Sequence, residues 1–509
     1  MSELPAVEEL ERWWGLEVLV LVLREERREV NLHCKNVHVL VLMSICCVSL
    51  IFAQQPDTLW TKIYGGTSGD YSYSVQQTTD GGYIIFGDTK SFGAGAEDVW
   101  LIKTNADGDT IWTRIYGGDS TDVSRSGQQT YDGGYIAAGW TKSFGPVTGV
   151  VHIYLLKTDS LGDTLWTKTY DAHSTCYSVQ QTADSGYILA GSILIGFYRD
   201  IYLIKTDSLG DTLWTRTYGG AMGENTWSVQ QNPDGGYIIA GSTESFGAGN
   251  FDIWLLKTDA NGDTLWTKTY GGASWDYSFL VQQTPDSGYI IVGTTSSFAV
   301  GYCDVWLLKT DAYGDTIWTK TYGGAQGDWA RSVDQTSDGG YIITGNTNSF
   351  GAGYYDIYII KTDTYGETIW TRTYGGPDYE GSMFVKQTPD HGYIIAGSTS
   401  SFGAGNSDIW LLKVEPDTSG IVERRTVELY HSLPVVSPNP AKTYFTIQSS
   451  RPAQRIEIYN TLGQLIREET LKEGNETQKI SLNDIVTGVY FLKIQNETKI
   501  IIKKFTVIK

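Results

Sequence analysis

Residues 228–272 read SVQQNPDGGYIIAGSTESFGAGNFDIWLLKTDANGDTLWTKTYGG. Val229-Gln230-Gln231, Tyr237 to Ser242, Ile253 to Thr258 and Thr264 to Tyr270 are short runs rich in β-branched and aromatic residues. Between them, P-D-G-G, S-F-G-A-G-N and D-A-N-G supply the glycine, proline and Asx chemistry of turns. The stretch therefore predicts four short antiparallel strands with no segment of helical period. One such unit cannot cover both faces of its own sheet, so it needs neighbours of the same kind.

Those neighbours exist at a period of about 52 residues. The motif D-T-[LI]-W-T, once with Glu for Asp, places tryptophans at Trp60, Trp112, Trp166, Trp214, Trp266, Trp318 and Trp370. G-Y-I places tyrosines at Tyr83, Tyr135, Tyr187, Tyr237, Tyr289, Tyr341 and Tyr393. A third motif, [IV]-[WY]-[LI]-[LI]-K, falls at Trp100, Tyr154, Tyr202, Trp254, Trp306, Tyr358 and Trp410. The first copy starts at a fourth strand, Asp57 to Tyr64, and the last stops at a third, Ile409 to Lys413, so the two ends complete one unit together. An open stack would leave both ends as bare edges, and this phase predicts a closed ring instead. The expected fold is all-β: a seven-bladed β-propeller of four-stranded blades, closed by the N-terminal strand on the C-terminal blade, plus a small C-terminal β-sandwich. The pattern resembles the seven-bladed β-propeller repeat family of bacterial exported proteins, known from D-G-G-Y-I-[IV]-x-G and D-x-W-[LV]-x-K. That resemblance covers roughly residues 57–414 and implies a fold without an activity.

Composition and charge narrow the setting. The chain holds 58 Gly, 33 Tyr and 17 Trp against 4 Met, which suits aromatic strands joined by glycine turns. A formal charge of −20 argues against nucleic acid or an anionic membrane surface as the main partner. Cys34, Cys46 and Cys47 precede or lie in a leader, and Cys176 and Cys303 stand too far apart in sequence to suggest a disulfide framework. Residues 37–53 form an apolar run after Lys35 and before Gln54-Gln55-Pro56, the layout of a signal peptide and marginal for a membrane span. The charged, aperiodic residues 1–36 read as an over-extended start.

The expected organisation is a leader at 1–53, propeller at 54–414, linker at 415–432 and a terminal domain at 433–509. That last domain carries Ser437-Pro438-Asn439-Pro440-Ala441, then Ile456-Glu457-Ile458-Tyr459-Asn460 with Gly463, then Gly488-Val489-Tyr490-Phe491-Leu492-Lys493 and a basic last strand. Alternating apolar residues between turns predict a small β-sandwich. In that order the elements resemble the type A C-terminal sorting domain of the type IX (Por) secretion system. The resemblance implies export through the outer membrane, a secreted or cell-surface location and contact with the type IX machinery through 433–509. The protein is not expected to be integral to a membrane.

Candidate sites come from comparing copies. The K-T-D-x-x-G-D-T-x-W stretches put acids beside a glycine, yet the third turn position varies among Asp107, Leu161, Leu209, Asn261, Tyr313 and Tyr365, which describes a hairpin turn and not a calcium loop. They also resemble the Asp box of sialidase propellers, itself a structural turn. Asp70, Asp122, Glu224, Asp276, Asp328 and Glu380 enter each first strand and are possible channel-mouth acids, with Ser174 in the seventh place. Such a ring either faces the channel or fastens its own loops by hydrogen bonds. No nucleophile, zinc or phosphate motif is present, so no catalytic residue, metal or cofactor is assigned. A repeat acquires a specific site where its copies differ. Departures cluster at residues 143–152, at Asp171-Ala172-His173 and at Ile193 to Arg199. They give a candidate ligand surface of Arg125, His173, Ile195, Phe197, Tyr198 and Arg199, while Arg331 also breaks the pattern. The predicted function is a non-enzymatic binding or scaffold module for a glycan or protein; the alternative is a secreted carbohydrate-active enzyme using loop carboxylates.

Overall fold

The computed structural model describes residues 58–147, 149–417, 435–437, 444–448, 455–460, 465–470, 477–482, 484–495 and 500–507. The expected leader 1–53 with Cys34, Cys46 and Cys47, Asp57, Thr148, residues 418–432 of the expected linker, Pro438 to Ala441 and Gly463 lie outside them. Every described element is a strand. No helix among the described residues is long and apolar enough to cross a membrane.

The repeat forms seven four-stranded antiparallel sheets. Their first strands are Asp70–Gln77, Asp122–Gln129, Ser174–Gln181, Glu224–Gln231, Asp276–Gln283, Asp328–Gln335 and Glu380–Gln387. Six sheets take their four strands in sequence. The seventh joins Glu380–Gln387, Tyr393–Thr399 and Asp408–Val414 to Thr58–Tyr64, which pairs Trp60 with Lys413 and Tyr64 with Ile409. The N-terminal strand thus supplies the hydrogen-bonding partner that the last three strands lack.

Sequence pattern follows layer. Second and third strands such as Tyr237–Thr243 and Asp252–Thr258 are buried throughout, because another sheet covers each of their faces. Fourth strands such as Thr264–Tyr270 alternate between exposed and half-buried positions. The core is accordingly divided into layers between adjacent sheets. One layer packs Ile238, Ala240, Ile253 and Leu255 of the fourth sheet against Tyr289, Ile291, Trp306 and Leu308 of the fifth. A matching layer packs Ile394, Ala396, Ile409 and Leu411 of the seventh sheet against Tyr83, Ile85, Trp100 and Ile102 of the first. Between the same two sheets Ser72 Oγ donates to Gly397 O (2.8 Å), Asp70 N to Ser407 O (2.7 Å) and Tyr64 Oη to Gly108 O (2.5 Å).

The D-G-G-Y-I and W-L-L-K motifs meet as ion pairs within each sheet, the lysine buried and the aspartate exposed. Lys103, Lys157, Lys205, Lys257, Lys309, Lys361 and Lys413 reach Asp80, Asp132, Asp184, Asp234, Asp286, Asp338 and Asp390 at 2.7–2.9 Å. Cys176 and Cys303 are free and buried.

Within the terminal region, Val435–Ser437, Tyr444–Gln448 and Thr477–Ser481 form one antiparallel sheet. Leu465–Thr470, Arg455–Asn460, Gly488–Gln495 and Ile500–Val507 form a second, in that order. The alternation seen in sequence buries Ile456, Ile458 and Leu492, and Lys493 pairs with Glu457 at 2.7 Å.

Candidate ligand-binding site

A repeated backbone irregularity builds the site. In every first strand the pairing register skips the fourth residue, as at Tyr73, Trp227 and Arg331, which leaves that residue out of the ladder as a β-bulge. The glycine of G-Y-I-x-x-G faces the bulge. A Cβ on Gly345 would stand 1.9 Å from Trp329 O, and one on Gly87 would stand 2.1 Å from Tyr71 O. Only glycine admits that approach.

The seven bulged side chains, Tyr73, Arg125, Tyr177, Trp227, Phe279, Arg331 and Met383, line one cavity of about 410 Å³. Every sheet contributes one of them. The Arg125 guanidinium lies 3.9 Å from the Tyr73 ring centre, and that of Arg331 lies 4.9 Å from Phe279. Tyr177 and Trp227 pack at 4.6 Å, and Trp227 and Phe279 at 5.9 Å. Ser126, Ser178 and Ser228 also line the cavity. Their hydroxyl oxygens accept Val179 N (3.2 Å), Val229 N (3.2 Å) and Val281 N (3.3 Å), so each hydroxyl proton stays available to a guest. A second cavity of about 270 Å³ shares Ser178 and Ser228 with the first, and a third of about 810 Å³ shares Gln180, Gln230 and Gln282 with the second.

The electrostatics of the first cavity are unusual for so acidic a chain. Nε of Arg125 and Nε of Arg331 are buried without a hydrogen-bond partner. Burial holds the Arg331 guanidinium below its ordinary range, and the Arg125 charge pushes the same way. Asp88 is 2% exposed; burial raises its pKa to about 7 against the attraction of Arg125. It is therefore a weak counter-charge below neutral pH.

The structure distributes the candidate residues differently from the sequence grouping. Arg125 belongs to the cavity, on a strand, whereas Ile195, Phe197, Tyr198 and Arg199 sit on the hairpin that joins Tyr187–Ile195 to Tyr198–Thr206. Phe197 is 95% exposed at its tip. His173 is beside the hairpin, since Leu194 N donates to His173 O (3.1 Å) and His173 N to Val151 O (2.7 Å). Grouping Arg125 with that hairpin is corrected, because a bulge, not a loop, carries it. Arg331, which also breaks the repeat pattern, lines the same cavity.

Asp70, Asp122, Glu224, Asp276, Asp328 and Glu380 are each fully buried and do not line the cavity. Asp70 accepts Gly66 N (2.9 Å), Ser91 Oγ (2.6 Å) and the Thr89 hydroxyl. Glu380 accepts Gly376 N (2.7 Å), Ser401 N (3.0 Å) and Thr399 Oγ1 (2.9 Å). These acids fasten the loops that precede their strands. His152, at the end of the 143–152 departure, is a buried strand start that replaces the Asp98 and Asp252 of other copies. The residues missed by sequence reasoning, Tyr73, Tyr177, Trp227, Phe279 and Met383, share a signal: each is the fourth residue of a first strand, a register that holds a large side chain in all seven copies and an arginine in two.

Seven four-stranded sheets whose first strands share one cavity define a repeat-built β protein with a site made of one side chain per repeat. Residues 435–509 match the secretion system C-terminal sorting domain, so the chain carries the tail of a protein exported by the type IX system to the cell surface or beyond. Beta-agarase A of Zobellia galactanivorans is 31% identical over 176 residues, which are 31% of this chain and 32% of that protein. The chain thus spans about a third of the length of the curated relative it matches. Among solved structures, the Pan2 WD40 domain of Neurospora crassa is similar over 70% of this chain and 96% of that one, with 10% identity and a TM-score of 0.44. A Dyadobacter fermentans protein of unknown function is similar over 71% and 99%, with 12% identity and a TM-score of 0.40.

Proposed function

We propose that the exported chain is a closed seven-bladed β-propeller at 54–414, tethered by the linker 415–432 to a sandwich-like sorting domain at 433–509 and preceded by the leader 1–53. It acts as a non-enzymatic binding module. One observation carries this reading: seven equivalent bulges bring different side chains into a single cavity while the strand pairing around each bulge stays the same. Aromatic walls and hydroxyl donors suit a carbohydrate, since sugar C–H faces pack on rings and sugar hydroxyls take hydrogen bonds. The name of the agarase relative supports the same ligand class. The enzymatic alternative needs two carboxylates converging on the ligand, and no residue lining the first cavity is acidic. The hairpin with Phe197, Tyr198, Ile195, Arg199 and His173 is a second candidate surface, favoured by the near-complete exposure of Phe197.

A panel of oligosaccharides titrated against the purified chain tests the reading. Trp227→Ala should abolish binding of the responding glycan with little change when Phe197 and Tyr198 are replaced by Ala. The opposite pattern moves the site to the hairpin. Binding that survives both changes refutes both placements.

A further inference from the structure

The two arginines break an otherwise uncharged set of bulged residues, and each is held in the same way. The guanidinium of Arg125 lies over the ring from the preceding sheet, Tyr73, and that of Arg331 over Phe279. Stacking fixes the plane of a guanidinium, and although Arg125 also hydrogen-bonds with Tyr73, its remaining donors and those of Arg331 can address a planar or tetrahedral anion. Neither Nε has a partner, although both are buried. The two charges repel one another, as the effect of Arg125 on Arg331 shows. Asp88 faces Arg125, but burial raises its pKa to about 7, so it compensates two buried like charges only in part; that is unfavourable, and a fold built only for stability would fill these places with the aromatics found beside them. The rest of the chain makes the contrast sharper: acids outnumber bases by twenty, and yet this cavity carries two arginines and no acid in its lining.

Opposite chemistry lies in the same cavity. Tyr177 and Trp227 pack together at 4.6 Å and present aromatic surface, and the hydroxyls of Ser178 and Ser228 retain a proton to donate. A guest that satisfies all of these carries an anionic group at one end and a hydroxylated ring at the other. The volume of about 410 Å³ lies within the range of small-ligand pockets.

We infer that this cavity binds an acidic oligosaccharide, with a carboxylate or sulfate on the guanidinium groups of Arg125 and Arg331 and a sugar ring against Tyr177 and Trp227. The inference rests on the binding-module reading and names the ligand class for that site. A carboxylate and a sulfate share the recognising chemistry, so the probes separate them.

Calorimetric titration of the purified full chain uses three probes: an oligogalacturonide for the carboxylate, a sulfated carrageenan oligosaccharide, and a neutral agaro-oligosaccharide. At least one acidic probe should bind more tightly than the neutral one, with affinity falling as salt rises. Arg331→Met and Arg125→Met should each weaken it by about tenfold to hundredfold, the scale of a charged hydrogen bond. Arg331→Met removes an uncompensated buried charge while keeping an unbranched stem, so its thermal midpoint should not fall. Should that variant fail to fold, Arg331→Lys replaces it. That variant keeps the charge and loses the planar fork, and the acidic probe must still weaken. If the neutral probe binds as tightly as the acidic ones and the arginine variants leave affinity unchanged, the acidic-ligand inference fails while the binding module stands. If none of the three binds, both fail.

Discussion

Replacing Trp60 by Ala tests the closure of the repeat more directly than deleting the strand, because it leaves the backbone pairing in place. Trp60 lies on the N-terminal strand in the seventh sheet and meets Tyr83 of the first sheet edge-on, with ring centres 5.8 Å apart. Its counterpart inside the repeat is Trp266 of the fourth sheet, 6.0 Å from Tyr289 of the fifth. Full burial of a tryptophan makes its truncation cost about 3–5 kcal/mol, and both rings are half-buried, so about 3 kcal/mol is expected at either position. Unfolding entropy near 2.1 cal/mol/K per residue over a repeat of roughly 360 residues converts this to a fall in melting midpoint of about 4 °C. Differential scanning calorimetry of Trp60→Ala, Trp266→Ala and Leu59→Ala measures all three. Leu59 faces the other side of the same strand and is 48% exposed, so its truncation should cost under about 0.5 kcal/mol. Equal losses for the two tryptophans are the mark of a ring in which the seventh junction matches an internal one. A loss at Trp266 with none at Trp60 would refute the closure.

Two further expectations follow from single residues. The turn after each first strand needs a left-handed residue; Gly81, Gly133, Gly235 and Gly339 provide it, while Ser185, Ser287 and His391 adopt φ of 66–67° at the same place. Ser287→Gly should therefore raise stability by about 0.5–1 kcal/mol in denaturant titration, and a loss would show that the serine side chain matters more than the backbone strain. Asp88 has a folded pKa of about 7, above its unfolded value of 3.8, so folding favours its neutral form. Its contribution is complete below about pH 4 and is lost as pH rises to about 7. Asp88→Asn should then match the parent near pH 4 and exceed it near pH 8, by up to about 4 kcal/mol at 1.36 kcal/mol per unit. A difference independent of pH would refute that assignment.

The strands were legible because their residues answer to local and repeated constraints. Tyr237 to Thr243 could be read as a strand from its β-branched and aromatic content, and its burial on both faces from the lack of alternation. The pairing of Thr58–Tyr64 with Asp408–Val414 was legible from the phase of the motifs alone. The cavity was not legible. Its residues occupy the bulged register, and a one-residue skip cannot be seen in an alternating pattern that the skip itself interrupts. Length changes, such as Ile193 to Arg199, stand out in a repeat, whereas Arg125 and Arg331 are substitutions at a fixed register that leave every length unchanged.

The bulge also explains how one repeat serves both stability and recognition. A side chain in the ladder must fit the layer of the next sheet, as Ile239 and Leu256 do, so its identity is held by packing. A bulged side chain belongs to no ladder pair and faces the cavity, so Tyr, Arg, Trp, Phe and Met can alternate there while each glycine opposite keeps the backbone the same. The cost of variation at that register is low for the fold and high for the ligand. Chemistry at the seven bulges is therefore free to change without the architecture changing. The site is best read from those residues together, and the two arginines stacked on Tyr73 and Phe279 are where that chemistry becomes specific.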